Sequence, residues 1–238
     1  METTVTSFPA VPAAKGITQY PANRPPLTPP PLACLPAGAV QPRGWIRGQL
    51  NLMTHGMAGR LSEISLFLGP DNGWLGGPGE AWEEQPYWYR GFYELAVLTA
   101  DRRLTAEAMM WMETLLSMTD KDGYWGPQVL KAIPLKQGGT IPDLWPHMIM
   151  LDALTSHYDR TGDSRVIPLM LNFFRWVAAL DDRRFLPVKW SELMAAGDPW
   201  QLIIQMNRPG DMLPHLYWLY NRTGEPFLLD LATRFFTR

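Results

Sequence analysis

The chain is poor in the residues that usually announce a chemistry. It has a single cysteine, Cys34, which excludes an internal disulfide framework and any multi-cysteine metal site within these 238 residues. Its four histidines, His55, His147, His157 and His215, lie too far apart in sequence to announce a metal site. There is no excess of charge of either sign: 21 basic and 23 acidic side chains leave a net charge of -2, so the basic surface of a nucleic-acid binder is not expected. No apolar run approaches the ~18 residues of a membrane-spanning helix. The opening METTVTSFPAVPAAKG has neither the basic leader nor the apolar core of a secretory signal. The chain therefore reads as soluble and cytoplasmic by default, with a secreted or periplasmic location left open. Also missing are the G-x-S-x-G elbow, the P-loop, the dinucleotide fingerprint, HExxH and CxxC.

Two residue types are abundant instead. Of 23 prolines, 10 fall within residues 1–42, including PPLTPPP at 25–31. Proline fixes φ and lacks an N–H, so this stretch is neither helix nor good strand. Residues 1–31 are expected to be a proline-rich arm, laid on the domain surface from about residue 25, and residues 32–238 a single helical domain. All eleven tryptophans follow residue 44. Such rings serve as core filler or as platforms for apolar faces, including those of sugars.

From Pro42, placed at a helix start, helical spacing begins: Trp45, Ile46, Gln49, Leu50, Met53 and Met57, then Leu61 and Ile64. GPDNGWLGGPGEAWEEQP at 69–86 is too rich in Gly and Pro for regular structure. Paired helices are then predicted over 86–100 and 103–119, 143–160 and 164–180, and 209–222 and 225–237. Strands, if present, are short.

A repeat organises these pairs. LTADRRL at 98–104, RTGDSRV at 160–166 and NRTGEPFL at 221–228 share Thr, a small residue and an acid. Thr99, Thr161 and Thr223 are spaced by 62 residues, as are Asp101, Asp163 and Glu225. Gly162 and Gly224 can end one helix in the left-handed region, and the acid favours the start of the next. The fold expected is all-α: three helical hairpins, an incomplete ring of an (α/α)6 toroid.

In such a ring, loops at the inner-helix N-termini line a cavity, where N–H groups and the helix dipole favour anions or polar ligands. Three stretches qualify, Glu80–Arg90, Ile141–His147 and Asn207–His215, with Pro86, Pro146 and Pro209 near N1. The first places Glu80, Glu83, Glu84 and Arg90 among Trp82, Tyr87, Trp88, Tyr89, Phe92 and Tyr93. Carboxylates accept from sugar hydroxyls while rings stack on C–H faces. The same acids also suit a helix start and the same rings a core, and spacing does not choose between Glu83 and Glu84. In DGYWGP at 122–127, Tyr124 and Trp125 either overhang the cavity or anchor a packed loop. Asp143, Trp145 and His147 form the third group; Asn207, Arg208, Asp211 and His215 the fourth, with Arg208 and Asp211 a candidate rim ion pair.

PRGWIRGQLNLMTHGMAGRL, WEEQPYWYRGFYELAVL, DGYWGP, RTGDSRVIPLMLNFFRW and YWLYNRTGEPFLLDLA together resemble, from about residue 32 onward, the N-terminal half of glycoside hydrolase family 127-like proteins. The resemblance implies a β-L-arabinofuranosidase-type catalytic domain acting on arabinofuranose-containing plant-type glycans. The family design it implies is a retaining exo-glycosidase with a cysteine nucleophile, zinc held by cysteines and a glutamate, and a second glutamate as acid/base. Those residues belong to segments beyond the third hairpin. No cofactor is therefore expected on this chain, zinc only in a longer form with downstream cysteines, and no catalytic residue can be named. The residues carried over as sugar contacts are His147 and, in family-like words, Glu83, Trp88, Asp122 and Asn207. Two functions stand: a glycoside hydrolase seen as half of its toroid, or a non-catalytic carbohydrate-binding or inactive helical scaffold. Partners expected are carbohydrate, not nucleic acid or membrane, with self-association through the open toroid edge. Helical toroids also host epimerases, lyases and cyclases, so architecture alone does not select hydrolysis.

Overall fold

The computed structural model describes residues 21–32, 35, 38–136, 138–186 and 201–237. Cys34, Trp190 and Trp200 lie outside them. The described residues are all-α apart from one two-residue antiparallel ladder, β1 (Ile133–Pro134) with β2 (Thr140–Ile141). Helices α1 (Gly44–His55) and α2 (Met57–Arg60) lead into three hairpins. These are α3 (Glu84–Thr99) with α4 (Arg102–Ser117), α6 (Trp145–Thr161) with α7 (Val166–Ala178), and α9 (Leu213–Thr223) with α10 (Phe227–Phe236). The short helices α5 (Gln128–Lys131) and α8 (Gln201–Asn207) precede the second and third hairpins. No helix among the described residues is long and apolar enough to cross a membrane.

The first helices of the hairpins, α3, α6 and α9, pack side by side with α6 in the middle, and each second helix covers its own partner. Burial follows that placement. α4 buries one stripe (Leu104, Ala108, Trp111, Met112, Leu115), as an outer helix should. α6 is buried all round its first turns, from Trp145 through Leu151, because it has neighbours on both sides. Trp74, Trp111, Trp125 and Trp145 are core residues, so aromatic abundance here is mainly packing.

The three Thr–small–acid motifs are one turn used three times. Ala100, Gly162 and Gly224 stand in the left-handed region at φ 54°, 68° and 74°. The threonine hydroxyl donates back into its own helix, from Thr99 to Leu95 O (2.7 Å), Thr161 to His157 O (2.7 Å) and Thr223 to Leu219 O (2.9 Å). The same oxygen accepts from the backbone N–H of Asp101, Asp163 or Glu225. Asp101 then caps α4 by accepting from Arg103 N and Leu104 N, both at 3.0 Å. Threonine and acid thus close the chain reversal from either side.

Two segments depart from expectation. α1 forms where the apolar spacing predicts a helix, one residue beyond its Arg43 cap rather than from Pro42. Its apolar residues do not form a core stripe: Trp45 is 82% and Leu52 70% exposed. The prolines fall inside the first turns, and of the three Pro209 alone takes the first position of its element. Pro86 and Pro146 are the third and second residues of α3 and α6, and Pro209 opens a 3-10 turn ahead of α9. All these positions lack an intrahelical acceptor for an N–H, so proline costs no hydrogen bond there.

The arm ties the row together. Arg24 N donates to Asn221 Oδ1 (2.8 Å), Asn221 Nδ2 to Asn23 Oδ1 (2.7 Å), and the Tyr220 hydroxyl to Pro25 O. These contacts hold the arm at the end of the third hairpin's first helix. Arg47 of α1 then donates to Leu98 O and Thr99 O, both at 3.0 Å, capping α3 of the first hairpin.

The turn makes a stability prediction. Ala100 is the non-glycine member of the trio in a conformation that penalises a Cβ by about 1 kcal/mol. Ala100→Gly is expected to raise the melting temperature by about 1–4 °C, and Gly162→Ala to lower it by a similar amount, in thermal unfolding followed by circular dichroism.

Candidate functional site

The N-terminal ends of α3 and α6 and the segment leading into α9 converge. Trp145, the first residue of α6, donates its ring N–H to Glu83 Oε2 at 3.0 Å, across 62 residues of sequence. Trp82 returns the gesture, donating its ring N–H to Asp143 Oδ2 at 3.0 Å. The other Asp143 oxygen accepts the Trp145 backbone N–H at 3.0 Å, satisfying one orphan donor of the helix start. The Tyr87 ring meets Trp145 edge-on, 6.2 Å between centroids, and the Arg208 guanidinium lies 5.1 Å from the Trp145 ring. Buried Gln205 of α8 ties this corner down, accepting from Leu144 N and donating to Pro142 O, both at 3.0 Å. The result is two carboxylates, three aromatic rings and an arginine on one rim.

The two acids are unlike. Asp143 is 1% exposed. Burial pushes its pKa from 3.8 up to about 7; the bonds from Trp145 and Trp82 pull it back, and the Glu83 charge adds to the rise. Glu83 is half-buried at the rim. Asp143 is thus a buried carboxyl that takes up a proton near neutrality behind the rim, while half-buried Glu83 is the acid at the rim that can accept from a ligand. A raised pKa also means that Asp143 stabilises the fold below pH 3.8 and loses that contribution as pH rises through about 7.

The other predicted contacts are placed elsewhere. Trp88 stacks on Phe92 (4.4 Å between centroids) and donates to Ala58 O at 3.2 Å, lining an apolar hollow of ≈ 730 Å³ beside α2. Asp122 belongs to the loop after α4, where it meets Lys131 Nζ at 2.9 Å and accepts from the Trp176 ring N–H at 3.2 Å. Asn207 is exposed at the end of α8, next to Arg208. Arg208 and Asp211 do form a loose exposed pair, 3.7 Å apart. Of the five residues, Glu83 and Asn207 belong to the stretches that converge, and Trp88 and Asp122 have other surroundings.

His147 is a correction. A partly exposed ring able to hydrogen-bond a ligand is expected of a sugar contact at that helix start, but its side chain is 0% exposed. The ring stacks on Phe173 (5.0 Å) and takes edges from Trp74, Tyr124 and Trp125. Its Nε2–H donates to Trp125 O at 2.8 Å, which fixes the neutral tautomer, and burial lowers its pKa from 6.5 to about 4. Gly126 stands at φ 116°, and a Cβ there would come within 2.6 Å of Nε2, so the loop's glycine makes room for the histidine. Tyr124 and Trp125, both 0% exposed, anchor this packed loop and do not overhang a cavity. What the sequence reading missed is Asp143 as the buried acid and Gln205 as the brace; the |i−j| of 61–63 for their contacts is the repeat length, and that was the available signal.

A stack of helical hairpins carrying paired carboxylates among indoles at one end has the makings of a carbohydrate-active domain. A family model described as beta-L-arabinofuranosidase, GH127 catalytic domain, matches residues 83–238, and the chain belongs to that family. No curated protein and no solved structure matches it. Among the described residues, no three or more His, Cys, Asp or Glu side chains are grouped to hold a metal ion.

His147→Phe keeps an aromatic ring in the stack but strands the Trp125 carbonyl, and is expected to cost about 1–3 kcal/mol at pH 7. Because the folded pKa lies below the unfolded one, His147 stabilises the wild type fully above pH 6.5 and loses that contribution as pH falls towards about 4. Urea unfolding across this window should therefore show a shallower acid loss in the variant than in the wild type.

Proposed function

We propose that this chain is the sugar-recognising part of a glycoside hydrolase-type domain, acting on arabinofuranose-containing glycans, with its three hairpins an arc of an (α/α)6 toroid. The observation that carries the reading is the family match over residues 83–238, a span that contains the rim where Trp145 holds Glu83 beside Asp143. The ring faces of Trp82 and Tyr87 offer apolar platforms, Glu83 supplies an acceptor for hydroxyls, and buried Asp143 holds Trp82 and the start of α6 in place behind them. Arg208 and Asn207 extend the polar side of the same rim. Trp88, Asp122 and His147 support this reading only as framework, through the hollow, loop and core they occupy.

Turnover by these 238 residues is a separate matter. The cysteine nucleophile of the family design has no counterpart here except Cys34 in the proline-rich arm. That single observation favours a second reading, sugar binding without hydrolysis by this polypeptide.

Isothermal titration with arabinofuranosyl oligosaccharides, against cello-oligosaccharides as control, tests the first reading. Binding selective for the arabinofuranosyl ligands, weakened about tenfold by Glu83→Gln with the melting temperature unchanged, is expected for loss of one charge-assisted hydrogen bond. Equal affinity in the variant would show that the rim does not hold the sugar. For the second reading, incubation with p-nitrophenyl arabinofuranosides is expected to release no p-nitrophenol above the blank; robust turnover abolished by Glu83→Gln or Glu84→Gln would overturn it.

A further inference from the structure

At the other end of the hairpins, a second cavity of ≈ 460 Å³ opens between the first and second hairpins. A 16-residue helix such as α3 spans about 24 Å, so this cavity is remote from the Glu83 rim. Its floor is apolar, made of Ala96, Val97, Ala108 and Met109. Its polar edge is cationic, with Arg102 from the start of α4 and Arg160 from the end of α6. Neither guanidinium forms an ion pair among the described residues, whereas Arg90, Arg103, Arg165 and Arg222 all do. Two arginines with no carboxylate in ion-pair contact among the described residues, over an apolar floor, favour an anion.

A buried relay fixes the chemistry of the wall. Asp163 is held well below the usual carboxylate range by its bonds with Arg165, and so stays ionised. It accepts from His157 Nε2, 3.3 Å away, which leaves the lone pair on Nδ1. The Tyr93 hydroxyl, 2.9 Å from Nδ1, must then spend its hydrogen on the histidine. Its oxygen remains an acceptor only, and Arg160 stands against it as a donor. Glu94, the carboxylate whose charge Tyr93 feels, is engaged by the Ser156 hydroxyl. The wall therefore orients Arg160 through a neutral oxygen without cancelling its charge.

We infer that this cavity is a binding site for a small amphiphilic anion, a carboxylate head between Arg102 and Arg160 and an alkyl or aryl body on the Ala96–Met109 floor. It is independent of the sugar rim, so either assignment can fail without the other. The volume falls in the range of small-molecule sites. Two partly exposed charge-assisted contacts and a short apolar tail correspond to affinity of about millimolar order.

The probe is octanoate, with 1-octanol as its uncharged counterpart, titrated into the full chain and followed by methionine-methyl NMR and isothermal titration. Saturable one-to-one binding of octanoate that shifts the Met109 methyl is expected. The double variant Arg102→Gln/Arg160→Gln should weaken octanoate about tenfold and leave 1-octanol unchanged. Ala106→Glu, an exposed change beside the cavity with both arginines intact, should weaken octanoate likewise, and serves if the double variant is unstable. Absence of saturable binding, octanoate affinity unchanged by both variants, or shifts at Met53 and Met57 of the α2 hollow in place of Met109 would each overturn the proposal.

Discussion

The structure depends on lateral pairing between equivalent positions of successive hairpins. Glu83 meets Trp145, Arg90 meets Asp152 at 2.9 Å, and Glu94 meets Ser156, each pair separated by 62 residues. Those pairs run down one side of α3 and α6, from the helix starts towards the turns. Further along the row, Arg222 of α9 pairs with Asp159 of α6 and lies 3.8 Å from the Trp218 ring. The sequence repeat is therefore also a contact repeat. Helices that carry matching faces at fixed spacing can only stack in register, because a slip of one residue would turn each acid 100° away from its partner.

Register explains why a functional rim exists at all. Glu83, Trp145 and Asn207 follow one another at 62-residue steps: the first two stand at the starts of α3 and α6, and Asn207 ends α8 just before the turn into α9, so the stack brings them to one end of the row. One end of the row collects acids, indoles and Arg208 around the N-termini of α3 and α6. The other end collects the Thr–small–acid turns, the arm and two arginines that form no ion pair among the described residues. A helix row is polar in the electrical sense, and its two ends have acquired different chemistry.

Much of this was legible beforehand. The hairpins and their turns follow from local rules: αL needs a small residue, and 3.6-residue spacing marks a buried stripe. Glu83 and Trp145 could be placed near one another because repeat length alone aligns them. His147 could not be read correctly, since a histidine at a helix start looks exposed in one dimension. Its burial is decided by Trp74, Tyr124, Trp125 and Phe173, which reach it from three separate segments. α1 fails in the opposite sense: its apolar spacing is real, but among the described residues no element covers Trp45 or Leu52.

By itself, the sequence determined an all-α repeat of 62 residues, the turns that close each hairpin and the family to which the chain belongs. Tertiary structure decided the electrostatics. Whether a carboxyl at a helix start is an ordinary acid or one that holds a proton near pH 7 depends on how much water its neighbours remove. Asp143 lost its water to Trp82, Trp145 and the α8 brace. Desolvation belongs to an enclosure, not to a residue, and an enclosure exists only once distant segments have packed.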